Sequence, residues 1–442
     1  MRAETARLPA AARLTKLGMR IDPGSRTLSR RFSLLPALIG AAMLALAGVA
    51  SAQSQGAVEA SFQQWLAAKV VPDAKKAGVS QGTLNAALAG LTLDWKLPDL
   101  APPGAPKGRE EPQRQAEFSG PARYFNEAKL AGLTTAGRAR TQQWSKTLSA
   151  IEKRYGVPAS ILVAIWGRES GYGAAKIPYP AIRTLATEAF MGARKASFYP
   201  ELIAALQILE GDHIPLSEMR SSWAGALGQP QFMPTKYLTT AVDFDGDGRR
   251  DIWESVPDVL ASIANYLKQN GWEPGVGWGV EVVLPAGVAC SLEGPDQGKP
   301  LAQWEAMGIR TVDGKPLAGR NGRRIGHLMM PAGRHGPAFI VSKNFYILKT
   351  YNNSDLYALF IGHLADRIRG GGAIRGAWDD VGGFKRSDVR AMQERLTARG
   401  VDVGNVDGLV GYKTRIAIGE WQQANGRPDT CFPDAALLKA IR

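Results

Sequence analysis

The sequence is short of the two residue types that most often build metal and redox sites. Its 442 residues include 2 cysteines and 4 histidines, and the histidines are scattered along the chain. Two cysteines are too few for a disulfide framework or a cysteine-rich zinc site, and no two histidines have ligand spacing. These shortages exclude disulfide-scaffold proteins and centres ligated by clustered histidine or cysteine. Cys290 and Cys431 could pair across domains in an oxidising compartment, but with one cysteine in each of two distant regions we expect two buried free thiols.

The remaining composition is that of a globular protein. Hydrophobic residues make up 45% and charged residues 21% of the chain, which excludes wholesale disorder. The length predicts two or three domains. A formal net charge of +14 suggests an anionic partner, and nucleic acid is the usual first candidate.

The N-terminal segment has the features of a secretory signal peptide. Arg30 and Arg31 precede an uncharged run over residues 32–52 that ends in a small-residue cleavage site, Ala-Ser-Ala. A transmembrane anchor is the alternative, but the short apolar core and the small-residue end favour a cleaved signal at residues 1–52. No cysteine follows the run, so we expect no lipid anchor. Cleavage removes eight basic and two acidic residues, leaving a net charge of +8, and export argues against nucleic acid as the partner.

Apolar periodicity predicts a mainly helical chain with one small β region. Helical patterns cover 56–98, 120–270 and 355–369, whereas 99–114 is a proline-rich connector. Short strands are predicted between 278 and 350, at 280–283, 339–341 and 345–348. A Gly-rich linker then leads to a compact helical tail at 386–442, which we expect to be a tethered module, with a helical cap packed on the core as the alternative.

One glutamate lies on the apolar side of a predicted helix. Residues 156–173 read GVPASILVAIWGRESGYG, with a proline for the first turn and glycines at the exit. Ile165 and Trp166 precede Glu169 by four and three residues, so all three share a face. Burial there raises the pKa of a carboxyl, as a general acid near neutral pH requires. The alternative is a glutamate that turns to solvent or pairs with arginine, and periodicity leaves both open.

Two loop segments follow that helix. Residues 221–237 read SSWAGALGQPQFMPTKY, in which Ser222, Gln229 and Gln231 offer neutral hydrogen-bonding groups that suit sugar hydroxyls. An ordinary Gly/Pro loop is the alternative. Residues 243–254 read DFDGDGRRDIWE and match the EF-hand calcium pattern. The predicted ligands are the carboxylates of Asp243, Asp245 and Asp247 and the Arg249 carbonyl, closed by Glu254 or, in a longer loop, by Asp258. An acidic turn held by Asx bonds is the alternative to this structural calcium site.

Four motifs in this order and spacing resemble the lytic murein transglycosylase B family. They are WGRESGYG at 166–173, AGALGQPQFMP at 224–234, DFDGDGRRDIW at 243–253 and ANYL at 264–267. The segment YNNS at 351–354, followed by Tyr357, is similar to the last active-site segment of that family. The resemblance covers about residues 58–370, and the tail resembles a peptidoglycan-binding domain of the three-helix type.

The resemblance implies the fold and the site. The fold would be mainly α (α+β), with a lysozyme-like helical core, a small β subdomain and a C-terminal three-helix peptidoglycan-binding domain. The implied domains are the signal peptide (1–52), a catalytic domain (53–370, its β subdomain at 278–350), a linker (371–385) and the binding domain (386–442). Glu169 would be the sole acid and base, in a glycan groove lined by Ser222, Gln231, Tyr266, Tyr351, Asn352 and Tyr357. The family's calcium loop matches Asp258 as the closing ligand, whereas the general EF-hand pattern points to Glu254.

The implied function is cleavage of peptidoglycan in the periplasm of a Gram-negative bacterium. Glu169 would break the β-1,4 bond between N-acetylmuramic acid and N-acetylglucosamine, leaving a 1,6-anhydromuramyl end, with no cofactor for the chemistry. We expect a monomer that binds glycan strands and is not inserted in a membrane. A hydrolytic muramidase and a non-catalytic wall-binding protein are the alternatives.

Overall fold

A computed structural model describes residues 55–102, 120–317, 319, 321–381 and 384–441. The predicted signal peptide, residues 1–52, lies outside the described residues, as does most of the predicted connector at 99–114. Residues Val58–Arg442 form one unit. Within the described ranges, no helix is both long enough and apolar enough to cross a membrane.

Helices build most of this unit, as the apolar periodicity predicts. Residues 55–65 are helical and continue through a π-helical turn, Leu66–Val70, into Val71–Lys76. The helices that follow are Gln81–Leu88, Pro121–Tyr124, Glu127–Gln143, Ser145–Tyr155, Ala159–Ser170, Ala181–Met191, Lys195–Glu210, Pro234–Thr240, Val256–Gln269, Leu301–Ala306, Lys343–Lys349 and Asp355–Ile368.

The helix Ala159–Ser170, called the central helix below, lies at the middle of the core. Every residue from Ile161 to Trp166 is at most 4% exposed, so this helix is buried on all sides rather than along one stripe. The helix Asp355–Ile368, called the closing helix, packs against it. The central helix ends at Gly171, whose φ of 57° is the left-handed conformation that glycine adopts without strain.

A five-stranded antiparallel sheet forms the predicted β region. From edge to edge its strands are Lys299–Pro300, Ile325–Met329, Ala338–Val341, Gly279–Val283 and Arg310–Thr311. Along the chain, the strand Pro331–Arg334 falls between Ile325–Met329 and Ala338–Val341. A separate two-stranded sheet pairs Tyr179–Pro180 with Arg220–Ser221. Two of the three predicted strands, at 280–283 and 339–341, are confirmed.

The third predicted strand, at 345–348, is wrong. These residues belong to the helix Lys343–Lys349, where the Ser342 hydroxyl accepts a hydrogen bond from the Asn344 amide as an N-cap. Phe345 and Leu348 are fully buried at a spacing of three residues, which is the helical period. Aromatic and β-branched content favoured a strand, but the cap and this spacing decide for a helix.

The C-terminal part folds as three helices, which confirms that part of the predicted fold class. They are Arg386–Ala398, Tyr412–Ala424 and Ala435–Ala440. Their apolar faces form a small core of their own around Met392, Leu396 and Ile418.

The expectation of two free thiols is wrong, because Cys290 and Cys431 form a disulfide. Cys290 lies in a short helical turn of the β region that packs on the helix Tyr412–Ala424. The Gly-rich segment is not a free tether either. Its Arg375 and Gly376 amides donate to the Glu281 carboxylate, and Trp378 stacks on Phe125. The C-terminal domain is therefore fixed to the rest of the unit rather than tethered loosely.

Candidate active site

Glu169 is the penultimate residue of the central helix, one turn beyond its most buried stretch. Its side chain lies inside the protein but keeps partial access to solvent. Neighbouring Arg168 turns away, where its guanidinium donates to the Tyr124 hydroxyl at 2.8 Å and lies over the Phe360 ring. The helix therefore presents the carboxyl alone and directs the adjacent cation elsewhere.

A tyrosine from the closing helix holds the Glu169 carboxyl. The Tyr357 hydroxyl donates to Glu169 Oε1 at 2.6 Å, a contact between residues 188 positions apart. Tyr357 is 2% exposed, and its ring stacks on Tyr351 with centroids 5.7 Å apart. The hydroxyl is thus firmly placed, because its ring is buried and stacked on Tyr351.

Burial raises the pKa of the Glu169 carboxyl above its usual value of 4.5. The Tyr357 hydrogen bond and the charges of Arg168 and Lys236 oppose this shift without reversing it. Burial and the nearby Glu169 charge also raise the pKa of Tyr357 well above 10, so the phenol remains a donor. A carboxyl with a raised pKa and a fixed donor can give up a proton and then be stabilised as an anion.

Aromatic rings continue from Tyr357 to form one wall of the site, called the aromatic wall, which consists of Phe232, Tyr266, Tyr351 and Tyr357. Tyr266 meets Tyr351 edge-on at 5.2 Å, and Phe232 lies about 6 Å from both rings. The ammonium of Lys236 lies 4.2 Å from the centre of the Tyr266 ring. These rings pack on one another beside the carboxyl with the Lys236 cation close to them, and Tyr351 is the member that stays partly exposed.

The Gly/Pro loop reaches this wall through its backbone. The Pro230 carbonyl accepts from the Tyr351 hydroxyl at 2.8 Å, and the next residue, Gln231, has a positive φ of 55°. The Gln231 amide donates back to the Gly228 carbonyl at 2.9 Å. The structure therefore brings Gln231 to the edge of the aromatic wall.

Gln229 has a different place from the one expected. It is nearly buried, accepts from the Trp166 indole at 2.6 Å and donates to the Trp253 carbonyl. Both ends of its amide are therefore used inside the protein. Gln229 ties the central helix to the loop and to the acidic segment rather than offering its amide to a sugar.

The described contacts join some of the predicted site residues and not others. Glu169, Tyr357, Tyr351 and Tyr266 form one connected set. Ser222 bonds locally, since its hydroxyl accepts from the Ala226 amide, and exposed Asn352 accepts from the Ser354 amide.

The acidic loop forms a second site built from different chemistry. Carboxylate oxygens of Asp243, Asp245 and Asp258 lie within 4.8 Å of one another. Two oxygens that bind one Ca²⁺ from opposite sides are about 5 Å apart, so this spacing fits a single ion. Asp258 is fully buried, and burial raises its pKa to about 6.

The other predicted calcium ligands are arranged around this trio. The Asp247 carboxylate accepts from the Arg249 amide, and both lie on the exposed tip of the loop. Glu254 is exposed, and its amide donates to Asp251. Asp258 instead accepts from the Phe244 and Asp251 amides, so its carboxyl lies under the loop. The geometry favours Asp258 over Glu254 as the closing group.

Comparison with protein families identifies the chain. Residues 61–366 match the family described as the transglycosylase SLT domain, which is well over half of the sequence. The chain belongs to this family. Residues 385–441 match a second family, described as a peptidoglycan binding domain.

Several SLT-domain relatives are known. The chain is 31% identical over 228 residues to membrane-bound lytic murein transglycosylase B of Escherichia coli (strain K12), a match that spans 51% of this chain and 61% of that protein. SltB3 from Pseudomonas aeruginosa has been solved with NAG-anhNAM-pentapeptide and with NAG-NAM-pentapeptide. Those structures have TM-scores of 0.75 and 0.78 at 42% and 43% identity, and each comparison covers 86% of this chain and 99% of the other. This likeness confirms the predicted lysozyme-like fold.

Sequence reasoning missed one charged residue of this SLT-domain site. Lys236 lies in the first turn of the helix Pro234–Thr240, directly after the Gly/Pro loop. A single lysine near a helix start is usually solvated, so the pattern itself carried little signal. The nearest available signal was its position two residues beyond the AGALGQPQFMP motif.

Proposed function

We propose that this protein is a lytic transglycosylase that cleaves the β-1,4 bond between N-acetylmuramic acid and N-acetylglucosamine in peptidoglycan. The observation that carries the proposal is the Glu169 carboxyl, whose pKa burial raises and whose Oε1 accepts from the Tyr357 hydroxyl. It lies within the SLT-domain match, and a relative of 42% identity binds a NAG-anhNAM-pentapeptide.

In the first step, protonated Glu169 donates its proton to the glycosidic oxygen, and the bond from that oxygen to C1 of the muramyl residue breaks. The oxygen of the substrate's own N-acetyl group stabilises C1 as an oxazolinium-like intermediate. The Tyr357 hydroxyl and the Lys236 ammonium stabilise the new Glu169 carboxylate, because both favour its charged form.

In the second step, the C6 hydroxyl of the same sugar attacks C1, and Glu169 takes the hydroxyl proton as a base. A C1–O6 bond forms, the N-acetyl oxygen leaves C1, and Glu169 is protonated again. The products are a 1,6-anhydromuramyl end and a free N-acetylglucosamine end, and no water is consumed.

A single carboxyl supports this route over ordinary hydrolysis. Glycosidases generally place two carboxyls about 5–9.5 Å apart around the bond they cleave. Among the described residues, the charged groups that act on the pKa of Glu169 are the cations Arg168 and Lys236. In this proposal the substrate's N-acetyl group gives the help that a second carboxylate gives in an ordinary glycosidase.

The groove residues bind sugar without charge in this proposal. Tyr351, the partly exposed ring of the aromatic wall, supplies a flat face for a sugar ring and is supported by the buried rings that pack on it. Ser222, Gln231 and Asn352 supply hydrogen bonds to hydroxyl and acetamido groups. Asp243, Asp245, Asp247, the Arg249 carbonyl and Asp258 would hold a structural calcium ion, which would stabilise the loop beside the groove. Calcium supplies no step of the chemistry.

The protein acts in the periplasm after removal of residues 1–52. A net charge of +8 on the exported chain gives a weak, salt-sensitive attraction to the carboxylates of the cell wall. The C-terminal domain adds a second contact with the glycan and so raises the local concentration of the enzyme at its substrate.

The test is digestion of purified sacculi, followed by mass spectrometry of the released fragments. Wild type is expected to release muropeptides with anhydromuramyl ends, and Glu169→Gln, folded to the same extent, is expected to release about a thousandfold less. Products that are heavier by one water would identify a hydrolytic muramidase. Binding to sacculi without any release by wild type would identify a wall-binding protein.

A further inference from the structure

Arg415 is a buried cation of the C-terminal domain that bridges two carboxylates of the rest of the unit. Its side chain is 3% exposed. Its guanidinium donates to Glu293 Oε1 at 2.6 Å and to Glu293 Oε2 at 3.2 Å, and the same Nη2 donates to Asp355 Oδ2 at 3.3 Å. Its planar fork is suited to such a bridge, which a lysine ammonium cannot reproduce.

Asp355 also pairs with Lys349, at 2.8 Å between Nζ and Oδ1. Lys349 ends one helix and Asp355 begins the closing helix. Residues 350–354, called the tyrosine turn, lie between them. Asn353 in this turn has a φ of 59°, a left-handed conformation that asparagine adopts more readily than most residues other than glycine. The Lys349–Asp355 ion pair joins the two ends of the turn.

The tyrosine turn leads directly to the acid. Its Tyr351 stacks on Tyr357, and its Ser354 hydroxyl accepts from the Tyr357 amide at 3.1 Å. The Tyr357 hydroxyl in turn donates to Glu169. A continuous set of contacts therefore runs from the C-terminal domain to the carboxyl that transfers the proton.

We propose that Arg415 is a positioning residue for the reaction at Glu169, acting through Asp355 and the tyrosine turn to hold Tyr357 against the carboxyl. The proposal rests on the proposed function for its meaning in turnover. It makes the C-terminal domain a brace of the active site in addition to any binding of the wall. The Cys290–Cys431 disulfide attaches that domain independently, so the loss of Arg415 alone does not release it.

The test compares full-length wild type with the double variant Glu293→Gln/Arg415→Met. Removing both partners leaves no unpaired buried charge at position 293, so this variant is better tolerated than either single change. Lys413→Met is the matched control, because it removes a cation from the same helix but from an exposed pair with Asp402. Each protein is checked for folding by thermal unfolding.

Two readouts separate positioning from a merely structural role. The double variant is expected to lose about tenfold in kcat with KM unchanged, since small misplacements of an acid reduce turnover rather than binding. A ¹³C NMR titration of the Glu169 carboxyl is expected to show a higher pKa, because the Tyr357 hydrogen bond that lowers it is loosened. The control is expected to match wild type in both readouts.

Other results overturn the proposal, or show that the proposed function fails separately from it. A folded double variant with wild-type kcat and wild-type Glu169 titration overturns it, as does a rise in KM alone. If the double variant does not fold, Arg415→Lys replaces it, with the same expected directions at smaller size, and wild-type behaviour of that variant overturns the proposal. If wild type releases no fragments, the proposed function fails, while the titration still decides whether Arg415 positions Tyr357.

Discussion

Glu169 and Glu293 are two glutamates that lie inside the same protein with opposite roles. Burial raises the pKa of both carboxyls. Glu293 is fully buried and meets the Arg415 guanidinium, which opposes that shift. Glu169 keeps partial access to solvent and meets the neutral hydroxyl of Tyr357. An arginine holds its proton throughout, whereas a phenol partner leaves the carboxyl free to give and take one. The hydrogen-bond partner and the access to solvent, rather than burial, distinguish the acid Glu169 from the structural Glu293.

The sharpest way to break this comparison is to neutralise the two glutamates in turn. Glu169→Gln is expected to reduce release of fragments from sacculi by about a thousandfold, because the acid and base is lost. Its thermal stability is expected to equal or exceed that of wild type, since a buried carboxyl is costly. Residual activity above about a tenth of wild type contradicts the assignment.

Glu293→Gln is expected to affect stability instead. Removing one partner of a buried ion pair costs about 3–5 kcal/mol. Here the remaining Arg415 charge keeps only its longer contact with Asp355, at 3.3 Å. The free energy of unfolding from denaturant titration measures the loss. A change below about 1 kcal/mol would show that the Arg415 bridge does not stabilise the fold.

Tyr357→Phe removes the hydrogen bond that gives Glu169 its catalytic character. The bond lowers the pKa of Glu169, so its loss raises that pKa further above 4.5. Because the acid must be protonated, the alkaline limb of the pH–rate profile moves to higher pH, while turnover falls about tenfold. Tyr351→Phe is the matched control for the limb, since its hydroxyl donates to Pro230 rather than to Glu169. An unmoved limb in Tyr357→Phe contradicts the account.

Lys236→Met gives the smallest expected effect. Its charge is the weakest of the influences that lower the pKa of Glu169, so the alkaline limb moves upward by less than in Tyr357→Phe. The shift should shrink at high ionic strength, since salt screens a partly exposed charge. Profiles recorded at low and high salt measure it, and a downward shift would show that Lys236 does not act on the carboxyl.

The sequence alone predicted the elements whose signal is local. The run of apolar residues before Glu169, with a proline at its start and glycines at its end, predicted the central helix. The three carboxylates at alternate positions likewise predicted the acidic loop, because the EF-hand pattern is contiguous. Periodicity failed at 345–348, where aromatic and β-branched residues favour a strand but buried Phe345 and Leu348 have helical spacing.

Contacts between distant residues were beyond the local pattern. Tyr357 is 188 positions from Glu169, and only the family resemblance connected the two. Cys290 and Cys431 are 141 positions apart in the sequence, and this separation suggested two free thiols. The fold brings them together as a disulfide. Arg415 resembles any polar residue of a three-helix domain, since nothing near it in sequence marks its carboxylate partners. Such partners become visible only in the packed structure.

The most direct test of the central claim is to digest sacculi in water enriched in ¹⁸O and to measure the masses of the released muropeptides by mass spectrometry. In the proposed reaction the C6 hydroxyl of the substrate attacks C1, so the account predicts anhydromuramyl ends that contain no ¹⁸O. Muramyl ends that carry one ¹⁸O atom would show that water attacks C1, and would contradict the account.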